Sequence, residues 1–159
     1  MKYISYGSNM NLYQMSYRCP NSKVYGNGKV YGYKLVFNYH ADIVYTGNDE
    51  DYVPVVVWDL EDQLDLACLD RYEGYPLYYD KINVDVVMDD TREVINAMVY
   101  VMIDKRKGVY PPSEEYFECI IQGYVDNHID CEKLYEAVYH CIDKSNITKY
   151  NQYNPKKVV

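Results

Sequence analysis

Basic charge is what this chain has least of in organised form. Its 159 residues carry 16 Lys and Arg against 24 Asp and Glu, a formal net charge of −8 at pH 7. A surface that tracks nucleic-acid phosphates needs clustered cations. The basic residues here are scattered, so no nucleic-acid partner is expected. The densest run, Lys105-Arg106-Lys107, stands before a glycine and two prolines and reads as a solvated loop. Long apolar runs are missing too: the longest span a few residues with strand-like spacing, against the roughly 20 needed for a membrane helix. No membrane partner is expected. Five cysteines, Cys19, Cys68, Cys119, Cys131 and Cys141, form an odd set without a C-x-x-C pair, and no signal-like segment precedes them. Reduced thiols and a cytoplasmic location fit that pattern best.

Enzyme signatures of fixed spacing are mostly absent. There is no Walker loop, no G-x-G-x-x-G, no H-E-x-x-H and no G-x-S-x-G. His40, His128 and His140 stand apart from one another and from the cysteines, so surface or packing roles are expected for them and no metal site is. What the chain has in abundance is tyrosine: 22, against 2 Phe and 1 Trp. Tyr fills space while carrying a hydroxyl that needs a partner, which predicts a core or cleft with many polar tips. The length and even composition suit one domain over 1–159 with a single core.

The pattern along the chain is strand-rich. Lys2 to Tyr6 reads as a strand, and Gly7-Ser8-Asn9 turns the chain into a helix carrying Leu12, Met15 and Tyr17. Gly26-Asn27-Gly28 predicts a hairpin or tight bend between two extended runs, the second being Lys29 to Phe37. Asp42–Tyr45 and Tyr52–Leu60, joined by a polar turn, are expected to form a second pair of strands. Val55-Val56-Val57-Trp58 is apolar on both faces and predicts burial on both. Leu60, Leu64 and Cys68, with Ala67 and Leu69 alongside, follow helical spacing until Gly74 and Pro76 interrupt it, which puts Glu73 at a helix end or just beyond.

Ile82, Val84, Val86 and Met88 alternate with Lys81, Asn83, Asp85 and Val87, and this strand should pair antiparallel with Glu93–Ile103. Pro111-Pro112 stops the chain before Ser113, a candidate N-cap, with Glu114 and Glu115 at the positive end of a helix to about Tyr124. A last helix from about Asp130 places Leu134, Ala137, Val138 and Cys141 on one face. Polarity rises from Asn146 into a tail, 146–159. About six strands with three or four helices, without regular β-α alternation, predict an α+β fold built on a small closed or strongly curved mixed β-barrel with flanking helices.

Two segments can carry chemistry. Glu73 stands in Leu69-Asp70-Arg71-Tyr72-Glu73-Gly74-Tyr75-Pro76, among aromatics and chain-breaking residues. A carboxyl desolvated there would hold its proton to higher pH and suit acid/base work near neutrality. The alternative is an exposed Glu at a helix C-terminus. The turn Tyr6-Gly7-Ser8-Asn9 has two readings as well: backbone amides that hold an anion or developing oxyanion, or a tight turn with Asn9 capping a helix.

Taken in order, several segments resemble the gamma-glutamyl cyclotransferase-like (AIG2-like) family over most of the chain, from Lys2 to about Val138. These are Tyr3-Ile4-Ser5-Tyr6-Gly7-Ser8-Asn9-Met10, Arg18-Cys19-Pro20, Gly32-Tyr33-Lys34-Leu35-Val36-Phe37, Val56-Val57-Trp58-Asp59-Leu60, Leu69 to Pro76, and Tyr100-Val101-Met102 followed by Pro111-Pro112-Ser113 and Tyr116. The resemblance implies a compact α+β fold around a small barrel. It also implies a cofactor-independent cyclisation, in which the α-amino group of a small gamma-glutamyl amino acid or gamma-glutamylamine attacks its own γ-carbonyl to give 5-oxoproline and a free amine. Glu73 matches the family's catalytic Glu. Tyr6, Gly7, Ser8 and Asn9 match its substrate loop, and Tyr79 and Tyr100 match two pocket tyrosines. Strand parity agrees for Tyr79, which leaves the apolar row of Ile82, Val84 and Val86.

Two positions depart from the family pattern. Val55 stands where many relatives carry Gly, and Asp42 replaces a small hydroxyl residue. An extra carboxylate beside an anionic substrate is unfavourable, so Asp42 is expected to face out or pair with a cation. The expected partner is a small gamma-glutamyl molecule, and the expected assembly is a monomer or homodimer. The competing reading keeps the fold and pocket without the chemistry, as a binding module for a glutamyl-like metabolite or a protein partner.

Overall fold

In the computed structural model, residues 1–103 and 109–142 are described. The basic run Lys105 to Lys107 and the tail from Asn146 lie outside them. Five strands close a barrel in the order β1-β5-β2-β6-β7: β1 (Lys2–Ser5), β2 (Lys23–Tyr31), β5 (Tyr52–Asp59), β6 (Tyr79–Met88) and β7 (Val94–Met102). All neighbours run antiparallel except at the closing seam, where β1 meets β7 in parallel at Tyr3 and Met98. The barrel is therefore mixed. β3 (Tyr33–Asn38) and β4 (His40–Tyr45) form a separate two-stranded hairpin. Four helices flank these sheets: α1 (Leu12–Arg18), α2 (Gln63–Glu73), α3 (Glu114–Asp126) and α4 (Glu132–Tyr139). None of the described helices is long and apolar enough to cross a membrane.

The double-sided burial expected of Val55 to Trp58 is observed, with all four buried. In the closed barrel β5 has β1 on one edge and β2 on the other. That corrects the expected pairing of Asp42–Tyr45 with Tyr52–Leu60. Both edges of β5 are occupied, so β4 pairs with β3 instead, from Tyr33 opposite Tyr45 to Asn38 opposite His40.

The expected bend at Gly26-Asn27-Gly28 is also corrected. β2 runs through these residues with only a register irregularity between Val24 and Gly26. Gly28 serves close approach: a Cβ there would lie 2.5 Å from Val86 Cγ1 and 2.9 Å from the Val87 carbonyl oxygen. The chain turns at Gly32 instead, whose φ of +79° is the left-handed region that glycine adopts without steric cost.

α2 departs from its expected stripe. Leu64 is 70% exposed and Cys68 is exposed, while Asp65 and Leu69 are buried. The buried row is offset by one residue from the expected Leu64–Cys68 row, because this helix rests only a narrow face on its neighbours. Its ends are well defined. The Asp62 carboxylate accepts from Leu64 N–H at the start. At the finish Gly74, at φ +65°, lets its own N–H reach the Arg71 carbonyl and the Tyr75 N–H reach the Asp70 carbonyl, the paired closure of a Schellman motif.

α3 begins as expected, with the Ser113 hydroxyl accepting from Tyr116 N–H. It buries Phe117, Ile120, Ile121 and Tyr124. Gly123 brings this helix against the turn that follows β1: a Cβ there would sit 2.7 Å from Asn11 N and from Met10 C and Cβ. Asn127 ties the two together, its Nδ2 donating to the Met10 carbonyl at 2.8 Å and to the Gly123 carbonyl at 2.7 Å. α4 buries Leu134, Ala137 and Val138 as expected, with Cys141 half-buried beyond its end. All five cysteines are free thiols.

Candidate active site

β1 ends at Ser5, and the chain turns through Tyr6 and Gly7 into a single 3-10 turn, Ser8–Met10. The amides that open such a turn have no acceptor within it. Among the described residues those of Gly7, Ser8 and Asn9 make no backbone hydrogen bond. Asn9 does not cap the following helix; Asn11 does, its side chain accepting from Gln14 N–H. The side chain of Asn9 is thereby free for the interior.

Glu73 is the last residue of α2, and the Schellman closure holds it there. It is half-buried, and desolvation pushes its carboxyl from an ordinary 4.5 up to about 7, against the opposing pull of the Arg18 guanidinium. A position at the negative end of a helix acts in the same direction as burial. Asn9 Nδ2 donates to Glu73 Oε1 at 3.4 Å and to Tyr3 Oη at 3.0 Å. The carboxyl and the turn therefore meet directly, although 64 positions separate them.

They meet in a cavity of about 720 Å³ whose lining includes every residue singled out in the sequence: Tyr6, Gly7, Ser8, Asn9, Glu73, Tyr79 and Tyr100. The polar tips expected of a tyrosine-rich cleft are there, and most are occupied. Tyr6 Oη donates to the Tyr100 carbonyl at 2.7 Å. Tyr79 Oη donates to the Ala41 carbonyl at 2.9 Å, while Tyr116 Oη accepts from Ala41 N–H at 3.2 Å, so one residue of the β3–β4 hairpin is gripped at both its polar groups. Tyr100 Oη donates to Asp70, whose carboxylate also pairs with Lys81 at 2.7 Å. Burial raises the hydroxyl pKa of Tyr3, Tyr6, Tyr79, Tyr100 and Tyr116 above the ordinary 10, so all five are neutral at physiological pH.

The hairpin forms the opposite wall. Gly7 lies close to it, since a Cβ there would be 3.3 Å from both Ala41 Cβ and Tyr116 Oη. Asn38 and His40 also line the cavity from the hairpin, and Leu77 and Tyr78, 79% and 71% exposed, line it after α2. Asp42 does not face out. It is 3% exposed, and its Oδ1 accepts from Met102 N–H at 3.0 Å. The outward-facing alternative is thereby corrected: a backbone amide satisfies this oxygen inside the protein. Val55 is fully buried in the barrel and is not among the cavity's lining residues.

Tyr3, Arg18, Tyr72, Tyr116 and Asp70 also shape the site and were not singled out for it. Arg18 Nη1 donates to Ser8 Oγ at 3.2 Å and to Asn9 Oδ1, and its guanidinium lies 3.3 Å from the centre of the Tyr72 ring. Most of these residues stand inside the motif segments, which was the available signal. Their roles depend on contacts across the fold that spacing does not encode. Among the described residues no group of three or more His, Cys, Asp or Glu side chains is placed to hold a metal ion.

The closed mixed barrel thus holds a half-buried carboxyl in direct contact with an open turn at a tyrosine-lined cavity. The sequence pattern described as Gamma-glutamyl cyclotransferase, AIG2-like, matches residues 3–118, and the chain belongs to that family. Solved structures share the fold. One described as a gamma-glutamyl cyclotransferase superposes with a TM-score of 0.75 at 24% identity, over 86% of this chain and 85% of that one. An uncharacterised human protein gives 0.72 at 24% identity over the same shares. A yeast gamma-glutamyl cyclotransferase specific to glutathione gives 0.52 at 13% identity, over 97% of this chain and 96% of that one. No curated protein sequence matches this chain.

Proposed function

We propose that this protein is a cofactor-independent gamma-glutamyl cyclotransferase, converting a small gamma-glutamyl amino acid or gamma-glutamylamine to 5-oxoproline and a free amine, with Glu73 as its general acid/base. The observation that carries this reading is the Glu73 carboxyl, pushed up to about 7 inside the cavity lined by the Tyr6–Asn9 turn. A group that titrates near neutrality both accepts and returns a proton at working pH.

The reaction uses one molecule as nucleophile and electrophile, so positioning supplies much of the rate. Ionised Glu73 takes a proton from the substrate ammonium. The freed amine attacks the γ-carbonyl carbon, forming the ring C–N bond and moving the carbonyl electron pair onto oxygen. The unpaired amides of Gly7 and Ser8 are assigned to that oxyanion, where preorganised donors act most strongly. Protonated Glu73 then gives its proton to the departing nitrogen, the old C–N bond breaks, the carbonyl re-forms, and the ring nitrogen passes its second proton to the released amine, which leaves as an ammonium. The side chains of Tyr6, Ser8 and Asn9, with Tyr79 and Tyr100, enclose the glutamyl half. Neutral tyrosines suit an anionic substrate because they add hydrogen-bonding tips without negative charge.

Incubation with gamma-glutamyl-alanine and with gamma-glutamylamines, followed by chromatographic quantitation of 5-oxoproline, tests the reading. The parent is expected to release 5-oxoproline from at least one of them, and Glu73→Gln to abolish release while remaining folded. Full turnover by Glu73→Gln would remove Glu73 from the mechanism. Binding of 5-oxoproline by calorimetry without turnover of any substrate would favour a binding module instead.

A further inference from the structure

Among the described residues Asn9 is the side chain of the Tyr6–Asn9 turn that hydrogen-bonds Glu73, and an amide can present either its oxygen or its NH2. Only the NH2 donates to Glu73 Oε1 and to Tyr3 Oη. The opposite orientation would set a carbonyl oxygen against a carboxylate. The choice is made on the far side of the amide, where Asn9 Oδ1 accepts from Arg18 Nη1. The same nitrogen donates to Ser8 Oγ, and the guanidinium stacks over Tyr72, whose hydroxyl lies 3.5 Å from Ser8 Oγ. Arg18 is thus anchored by a ring on α2 while it holds two consecutive residues of the turn.

We propose that Arg18 is the positioning residue of this site, its guanidinium orienting the Asn9 amide so that the NH2 faces Glu73. Arg18 has a second effect through charge. The groups around Glu73 are Tyr3 of β1, Tyr6 after it, Tyr79 of β6, Tyr100 of β7 and Tyr116 of α3, all held neutral by burial. Tyr72 precedes it on α2, Arg71 and His40 line the same cavity, and Asp70 and Asp42 stand behind Tyr100 and Met102. Of these and Arg18, it is the Arg18 guanidinium that pulls the Glu73 carboxyl down against desolvation. Removing the cation therefore raises the pH at which Glu73 ionises.

The kinetic arm of the test rests on the cyclotransferase reading; the spectroscopic arm does not. Carbon-13 NMR of the Glu73 carboxyl and nitrogen-15 NMR of the Asn9 side-chain amide are followed against pH, without substrate, in the parent, Arg18→Met and Arg18→Lys. In Arg18→Met the Glu73 titration is expected to move to higher pH and the Asn9 amide to lose its anchored, shifted signals. Arg18→Lys keeps the charge and is expected to hold the titration near the parent's. In 5-oxoproline release, kcat of Arg18→Met should fall roughly 100-fold, the scale of a misplaced reacting group, with the acid limb of the kcat profile displaced upward. An unchanged Asn9 amide signal and Glu73 titration in folded Arg18→Met overturn the proposal, whatever the activity. A parent without turnover in which those two signals still move refutes the cyclotransferase reading and leaves the role of Arg18 standing.

Discussion

Replacing Glu73 by Gln should stabilise the protein at alkaline pH even as it removes activity. The carboxyl is raised from 4.5 to about 7 by burial, so its ionised form is less favourable in the fold than in the unfolded chain. At roughly 1.4 kcal/mol per pH unit, the difference amounts to about 3 kcal/mol. The sign follows from proton counts. Below pH 4.5 the group is protonated in both states and contributes nothing. Between 4.5 and 7 the unfolded chain ionises first, and stability declines as pH rises. Above 7 the whole penalty is present. Gln keeps the size and an oxygen to accept from Asn9 Nδ2 but has no charge to desolvate. Urea denaturation of the parent and Glu73→Gln at pH 4, 6 and 8 is the assay. Equal stability is expected at pH 4, with an advantage to the variant growing to about 3 kcal/mol at pH 8. A variant no more stable than the parent at pH 8 would refute the claim that burial sets the proton affinity of Glu73.

Two packing predictions accompany it. Gly28→Val would place a side chain within 2.9 Å of the Val87 backbone and should destabilise the barrel by roughly 1–3 kcal/mol, or more if β2 and β6 separate; thermal unfolding by circular dichroism measures it. Asn127→Ala leaves the Met10 and Gly123 carbonyls without the Asn127 donor, and should cost roughly 1–3 kcal/mol. Because Met10 ends the 3-10 turn, 5-oxoproline release should also fall in the folded fraction of that variant.

Much of the fold was legible because it depends on local periodicity and on burial. The β6–β7 alternation, the Ser113 cap and the double-sided run in β5 each leave a pattern within about ten residues, and each was found. Pairing was less legible. Whether β4 lies beside β3 or β5 depends on which edges of β5 are already taken, and that is a property of the whole barrel. Glycine was read wrongly at Gly26 and Gly28 for a related reason. The residue permits a turn and also permits close approach, and only the neighbouring strand reveals which is being used.

The site divides in the same way. Glu73 and the Tyr6–Asn9 turn stood out through the order of the motifs, since local sequence alone left each with a bland alternative. The cavity brings them together with Tyr79 and Tyr100. The role of Arg18 was not legible, although the residue stands in a motif segment, because its contacts to Ser8, Asn9 and Tyr72 join α1, the turn and α2. The outward-facing alternative for Asp42 failed because an oxygen satisfied by the backbone of a distant strand leaves no trace in the surrounding residue types.

The cavity wall is shared between two hydrogen-bonded units that have no ladder in common. Proton transfer and glutamyl recognition are assigned to residues anchored around the barrel, whereas Asn38, His40 and Ala41 stand on the β3–β4 hairpin. This gives the protein two separately adjustable halves. On the proposed function, exchanges at Asn38, His40 and Ala41 would reshape the space beside a bound glutamyl group, while the barrel register that aims Glu73 stays as it is. Divergence in substrate range should accordingly be written in the hairpin first, with the tyrosines that grip Ala41 limiting how far that wall can travel.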